Sequence, residues 1–530
     1  MPDEAPVSAD TGTDAARRLA RGHYGLALGW IKRSRARQAL VELERAHAID
    51  PGYLEAWLTH AHLLQQQHRW NDLIELCGTA LRRAMASSEL HKLLITGLEE
   101  RGTLEDAFAL YGLERADDRD LAFDPDAILC CTAVRNERSR LPGFFEHYRK
   151  LGVDRFLFVD NGSDDGTAEW LAAQPDVRLW RSSLSFTRAN FGSSWFELLL
   201  RRYGIGHWCL TVDADELLVY GDHERKPLRA FCRELQESGK EAASGILLDL
   251  YSDRPVRETV LEGETDWLAR CPWFDREFAH DRHERGGEYR NQLITFGGVR
   301  RRVFPAKHDY LLSKVPLVLY RPDVVLASGQ HLTSIPYERI AHEQVCVLHF
   351  KFFASFLPYA RAEAERGVHA MDAEQYKTYA ARLAQDETVT LHDPALSLRY
   401  EGIAQLRALG VMAPAPVAQG DSPRALGTAR GVRPDAHAVL PCRRVLLHRH
   451  DGRTRRGDPH RRAADRQWRG GAGDAAAVGV VRRTHRPRGH GRGRARTGLN
   501  ALPARGRHPH CNPEARSRIQ SSVRNPEDAR

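Results

Sequence analysis

Between residues 15 and 122 small and apolar side chains recur with the 3.6-residue period of amphipathic helices, and that pattern itself repeats. Ala39, Leu73 and Ala107 stand 34 residues apart, as do Leu43, Cys77 and Tyr111, and Ala27, Ala61 and Ile95. Small residues where two helices cross, with larger apolar ones a turn later, are what stacked helical hairpins require. In the first copy, "ALVELERAHAIDPGYLEAW", Ala39, Leu43 and Ala46 share one face and Pro51 ends the helix. The later copies are degenerate, with Met85 where the proline would recur.

From about 126 to 412 the rhythm changes to short apolar runs alternating with amphipathic ones. "AILCCTAV" reads as a strand, "RSRLPGFFEHYRKLG" as a helix and "RFLFVD" as a strand. "GTAEWLAAQ" is then helical, "VRLW" extended, "ANFGSSWFELLLRRYG" helical and "HWCLTVD" extended. Strand and helix in alternation with short connections predict a parallel sheet covered on both faces. Such sheets bind ligands at the carboxyl ends of their strands. That rule sets three loops side by side: Arg135 to Glu137, Asp160 to Asp165, and Asp213 to Glu216.

Residues 413–530 are rich in Arg, Gly, Pro and His and show no sustained apolar period, so they are expected to be disordered. They also divide the net charge of +8: Asp421–Arg530 hold 26 Arg, no Lys and 9 acids, leaving the first 420 residues at −9. Arginine without lysine is what GC-rich coding DNA yields when read out of frame, so nucleic-acid binding is not expected of the chain. No run reaches the roughly 18 residues of a membrane span, and "MPDEAPVSADTGTD" has neither the basic start nor the apolar core of a signal peptide. Nine scattered cysteines without a CxxC pair fit reduced thiols and a cytoplasmic protein, peripheral at most to a membrane face.

The candidate chemistry sits at the three loops. Asp213 and Asp215 flank one residue at the end of an apolar strand, a spacing that presents oxygens to one point. Hard divalent ions such as Mg²⁺ or Mn²⁺ accept few protein carboxylates and complete their shells with water or phosphate. An Asp-x-Asp turn therefore suits a pyrophosphate-bearing substrate, although a solvated acidic loop has the same composition. Asp160 and Asn161 point from their strand end into the same crevice, where they can bond a base or ribose. Glu137 either accepts a ribose hydroxyl or stabilises the next helix start.

"ALVELERAHAIDPGYLEAW" resembles a tetratricopeptide repeat. "VRNE…LPGFFEHYRKLGVDRFLFVDNGSDDGT", with "LTVDADE" about fifty residues on, resembles glycosyltransferase family 2, in the bacterial branch with VRNE for YNE. "GGVRRRVF", "KVPLVLY", "SGQHLTS" and "VLHFKFF" extend the likeness across 126–412. The resemblance implies a GT-A fold, a Rossmann-like α/β domain for nucleoside-diphosphate sugars, behind repeats at 15–122 and before the tail at 413–530. It implies that Asp213 and Asp215 bind metal and diphosphate, with Arg135, Glu137, Asp160 and Asn161 toward the nucleoside. His349 would be a further metal ligand, ahead of His331, and Lys351 would meet a phosphate. Arg300, Arg301 and Arg302 would either clamp phosphate or form a solvated face. For an inverting transfer the acceptor's proton needs a carboxylate base; Asp253 is preferred to Asp249 and Glu277. The implied partners are a nucleotide sugar, a glycan or lipid-linked acceptor in surface polysaccharide assembly, and a protein docked on the repeats. The alternative is a repeat scaffold whose GT-A domain is inert.

Overall fold

The computed structural model describes residues 11–414, apart from short breaks at 84–86, 121, 262, 278–280, 285–292 and 368–369. Residues 415–530, hence nearly all of the Arg-rich segment expected to be disordered, lie outside the described residues.

Six helices come first: α1 (Thr11–Lys32), α2 (Ala36–Ile49), α3 (Leu54–Gln66), α4 (Trp70–Arg82), α5 (Ser88–Arg101) and α6 (Leu104–Leu110). Each packs on the next. The nine residues spaced by 34 are all buried, none above 3% exposed, so the long period marks the positions where helices meet. Pro51 follows α2 immediately after its C-cap Asp50, where a missing N–H breaks no helical bond. Ser87 starts α5 by accepting the Leu90 N–H at 3.2 Å.

Nine strands then form one sheet: β1 (Glu114–Arg115), β2 (Leu129–Val134), β3 (Arg155–Asp160), β4 (Val177–Arg181), β5 (Trp208–Thr211), β6 (Glu216–Tyr220), β7 (Ala242–Asp249), β8 (Ser313–Leu319) and β9 (Ile340–His349). Their order is β1-β4-β3-β2-β5-β8-β7-β9-β6. Strands β2 to β5 are mutually parallel, as the alternation predicts. The second half corrects the all-parallel expectation. β8 runs antiparallel to both β5 and β7, β6 antiparallel to β9, and only β7 and β9 pair in parallel. The β8–β7 register slips between Lys314 and Leu317. Pro316 sits at that slip, where its lack of an N–H costs least.

Alternate residues of the central strands feed two cores, one on each face. Cys130, Phe156, Phe158 and Leu210 join Phe144, Phe145 and Tyr148 of α7 (Leu141–Leu151). Leu129, Cys131, Leu157, Val159 and Cys209 join Trp195, Leu198 and Leu199 of α9 (Ser193–Tyr203), with α8 (Thr167–Ala172) between these helices in sequence. The second core continues without interruption into Ala27, Leu43, Leu73 and Ile95, so the repeat helices cover the α9 face of the sheet. Close strand approach fixes Gly245 on β7: a Cβ there would stand 1.9 Å from the Val345 carbonyl of β9. Seven described cysteines are buried and unpaired. Among the described residues no helix is long and apolar enough to cross a membrane.

Candidate functional site

β5 ends at Thr211, and the chain turns through Asp213–Ala214–Asp215 into β6. Ala214 is 3% exposed and anchors the turn, while the Asp213 side chain stands open to solvent. Two reciprocal bonds shape it: Asp213 N–H donates to Glu216 Oε2 and Glu216 N–H to the Asp213 carbonyl, both at 3.1 Å. Asp213, Asp215 and Glu216 each bring a carboxylate oxygen within 4.8 Å of the others. Glu216 is already engaged, since Lys314 Nζ lies 2.9 Å from its Oε1 and both side chains are buried. The donors left for an ion are the hard oxygens of Asp213 and Asp215, which fit Mg²⁺ or Mn²⁺.

Sheet register supplies the next group. His349, the last residue of β9, is level with Glu216 on β6 and with Asp249 on β7. Its Nε2 is 3.3 Å from Asp215 Oδ2 and its Nδ1 is 2.6 Å from Asp249 Oδ1. Two residues on, Lys351 Nζ is 3.6 Å from the same Asp215 oxygen, and the Phe350 N–H donates to the Asp215 carbonyl at 2.8 Å. His349 thus meets the Asp-x-Asp turn, with Lys351 beside it. Glu137 faces the same charges from the β2 end, held by Arg140.

The electrostatics follow from crowding. Asp213 is open to solvent on one side, yet the protein packed behind its carboxyl displaces water, and that, then Glu216 and Asp215 repulsion, raises it to about 6 although Lys314 opposes it. Burial would also raise Asp215, but His349, Lys351 and Arg140 outweigh it and hold that carboxylate well below its usual value. Burial lowers His349, yet Asp215 and Asp249 reverse the sign and favour its protonated form. Burial raises Glu137 in spite of Arg140. One aspartate is therefore firmly charged, and its neighbour is open and strained by like charge.

The nucleoside candidates lie at the β3 end, two strands from β5. Asp160 Oδ2 accepts the Gly162 and Ser163 N–H groups at 3.3 Å, while its Oδ1 is buried with no protein partner. The Asn161 amide instead donates to the Ser182 and Leu184 carbonyls at 2.9 Å, and Arg135 Nη1 to the Asn161 carbonyl at 2.7 Å. Those two side chains shape the crevice wall. Asp253 is exposed on the loop after β7, with Ser252 Oγ at 3.4 Å; Glu277 is exposed as well.

Three expectations change. Arg300, Arg301 and Arg302 neither form a solvated face nor stand free for phosphate, because they pair with Asp249, Asp309 and Asp275. Asp249 is not placed to act as a base, being buried between His349 and Arg300. His349 rather than His331 stands against Asp215; His331 is half-buried near Lys314 with its Nδ1 bonded to the Ser313 carbonyl. Sequence reasoning missed Lys314 and Arg140. A lysine inside the apolar run "SKVPLVLY" was the available signal, since unpaired lysines are almost never fully buried.

No family model and no curated protein matches this chain. Among 49 solved chains that match is a mutant O-GlcNAc transferase of Thermobaculum terrenum. It is 19% identical over 42% of this chain and 43% of that one, with a TM-score of 0.16. The match spans less than half of that protein, and at such a score it carries no argument about fold or activity.

Proposed function

We propose that the chain is a metal-dependent glycosyltransferase of GT-A type, moving a sugar from a nucleoside-diphosphate donor to a glycan or lipid-linked acceptor, with surface polysaccharide assembly as the setting. One observation carries the reading. The Asp213, Asp215 and Glu216 carboxylates converge within 4.8 Å at strand ends, with His349 Nε2 3.3 Å from Asp215. Glu216 and Asp215 are matched by Lys314, His349 and Lys351, whereas Asp213 forms no ion pair among the described residues and leaves an open carboxylate for a cation to meet.

Asp213, Asp215 and His349 are the proposed ligands of a Mg²⁺ or Mn²⁺ ion. Bound there, the ion supplies positive charge against a diphosphate leaving group. Glu216, fixed by Lys314, holds the turn open so that Asp213 and Asp215 face one point. Lys351 is proposed to meet a phosphate oxygen as a point charge. Asp160 Oδ1, buried and unpartnered, is proposed to accept an N–H of the base, with Glu137 nearer the ribose. Asp253, exposed and without an ion pair among the described residues, is proposed to take the acceptor hydroxyl's proton in an inverting displacement.

The test is hydrolysis of nucleoside-diphosphate sugars by the full chain with and without Mn²⁺. Turnover that needs Mn²⁺ and falls more than about 100-fold in Asp215→Ala, with the fold retained, supports the enzyme. Absence of Mn²⁺-dependent binding or turnover with every donor leaves a repeat scaffold joined to an inert sheet.

A further inference from the structure

The lateral contacts of His349 carry more than its own role. An imidazole ring binds a metal through only one nitrogen, and the partner of the other nitrogen decides which. Nδ1 stands 2.6 Å from Asp249 Oδ1, with both side chains almost wholly buried. A carboxylate accepts and does not donate, so Nδ1 carries the proton. Nε2 faces the Asp215 carboxylate at the longer 3.3 Å; without a metal it carries a proton too, and that proton is the one a cation would displace.

Asp249 is itself fixed. Arg300 Nε donates to its second oxygen, Oδ2, at 2.8 Å, and the guanidinium carbon lies 5.1 Å from the centre of the Tyr310 ring. Arg300 comes from the short helix Gly298–Val303, which packs on β7, and it is 7% exposed. The line Arg300–Asp249–His349–Asp215 therefore crosses from that helix through β7 and β9 to the turn before β6. Each carboxylate oxygen of Asp249 has one donor, and neither is left for substrate.

We propose that Asp249 and Arg300 are positioning residues, which lock the His349 ring so that Nε2 alone is offered beside Asp215 to a divalent cation. This rests on the metal site proposed above, and the experiment separates the two. On the metal-free full chain, two-bond ¹⁵N–¹H correlation of the histidine rings reads which nitrogen of His349 keeps its proton. Mn²⁺ alone, titrated by electron paramagnetic resonance, reads ligand quality.

In wild type the Nδ1 proton is expected to persist while Nε2 exchanges its own. In Asp249→Asn, Mn²⁺ affinity is expected to fall 10- to 100-fold, with the usual circular dichroism. Arg300→Lys keeps the charge but loses the planar fork and ring contact, and is expected to cost several-fold. It also serves if Asp249→Asn does not fold. Mn²⁺ affinity within twofold of wild type in a folded Asp249→Asn or Arg300→Lys chain overturns the positioning role. So does a wild-type ring protonated at Nε2 alone. Failure of wild type to bind Mn²⁺ at all, with Nδ1 still protonated, overturns instead the metal site itself.

Discussion

Two buried charge networks lie about one sheet, and they are built to opposite ends. Where the repeats meet α9, Lys92 Nζ donates to Glu197 Oε1 at 2.6 Å and to the Val324 carbonyl at 2.7 Å. Arg201 adds Glu197 at 3.3 Å and also reaches Glu99 and Thr96 of α5. Two cations face two anions, and the contacts cross from repeat to sheet. At the strand ends, Asp213, Asp215, Glu216, Glu137 and Asp249 face Lys314, Lys351, Arg140, Arg300 and His349. There a full balance requires a protonated histidine, and one carboxylate, Asp213, is turned out to solvent with a raised pKa. The first network is a weld; the second is a seat. Inward closure against outward opening, more than the number of charges, separates a structural cluster from a binding one.

The largest test of that contrast removes one partner from the weld. Lys92→Met leaves Glu197 short of a cation in a dry seam and is expected to cost about 3 kcal/mol or more, read by urea unfolding. A loss under about 1 kcal/mol, the value of an exposed pair, would deny the seam its welding role.

Acid comes next. His60 is buried and desolvation holds it at about 3; His47 beside it is held at about 4 by burial and the nearby Arg83 charge. His91, against the Tyr111 hydroxyl, is also held at about 4 by burial. These folded-state values lie below the ordinary 6.5, so the unfolded chain binds protons first as pH falls. Stability from these histidines is therefore whole above about 6.5 and is lost toward pH 4, by about 2–3 kcal/mol for each of His60 and His91 and by less for the part-exposed His47. Thermal unfolding from pH 7.5 to 4.5 checks the slope, which should be shallower in His60→Gln. An equal slope would place the acid sensitivity elsewhere.

The smallest effect has the reverse character. Asp213→Asn removes a like charge that the fold merely tolerates, so stability should stay within about 0.5 kcal/mol of wild type or rise. Donor turnover should nevertheless collapse in the same protein. A marked fall in melting temperature would make Asp213 part of a structural cluster after all.

What the sequence disclosed follows from the range of the forces involved. Strand and helix positions from Leu129 to Thr211 were readable because alternation and capping are local. The 34-residue period was readable because each recurrence marks a buried helix crossing. The antiparallel insertion of β8 was not, since its neighbours β5 and β7 are far from it in the chain. The same distance hid Lys314 from Glu216 and Arg300 from Asp249. The Arg-Arg-Arg run stayed open between a phosphate clamp and a solvated face because its three acidic partners come from three other segments. Asp213 and Asp215 stood out in advance because one short turn carries both.

The sealed cysteines make the chain its own gauge of opening. Cys77 sits among the repeat helices, and Cys130, Cys131, Cys209, Cys232, Cys271 and Cys346 sit in or beside the sheet, all shielded from reagent in the native fold. A thiol probe can reach them only when their own layer parts. Labelling rates at Cys77 and at Cys131, which share one continuous core, would therefore rise together if repeats and sheet come apart as one body, and separately if they do not.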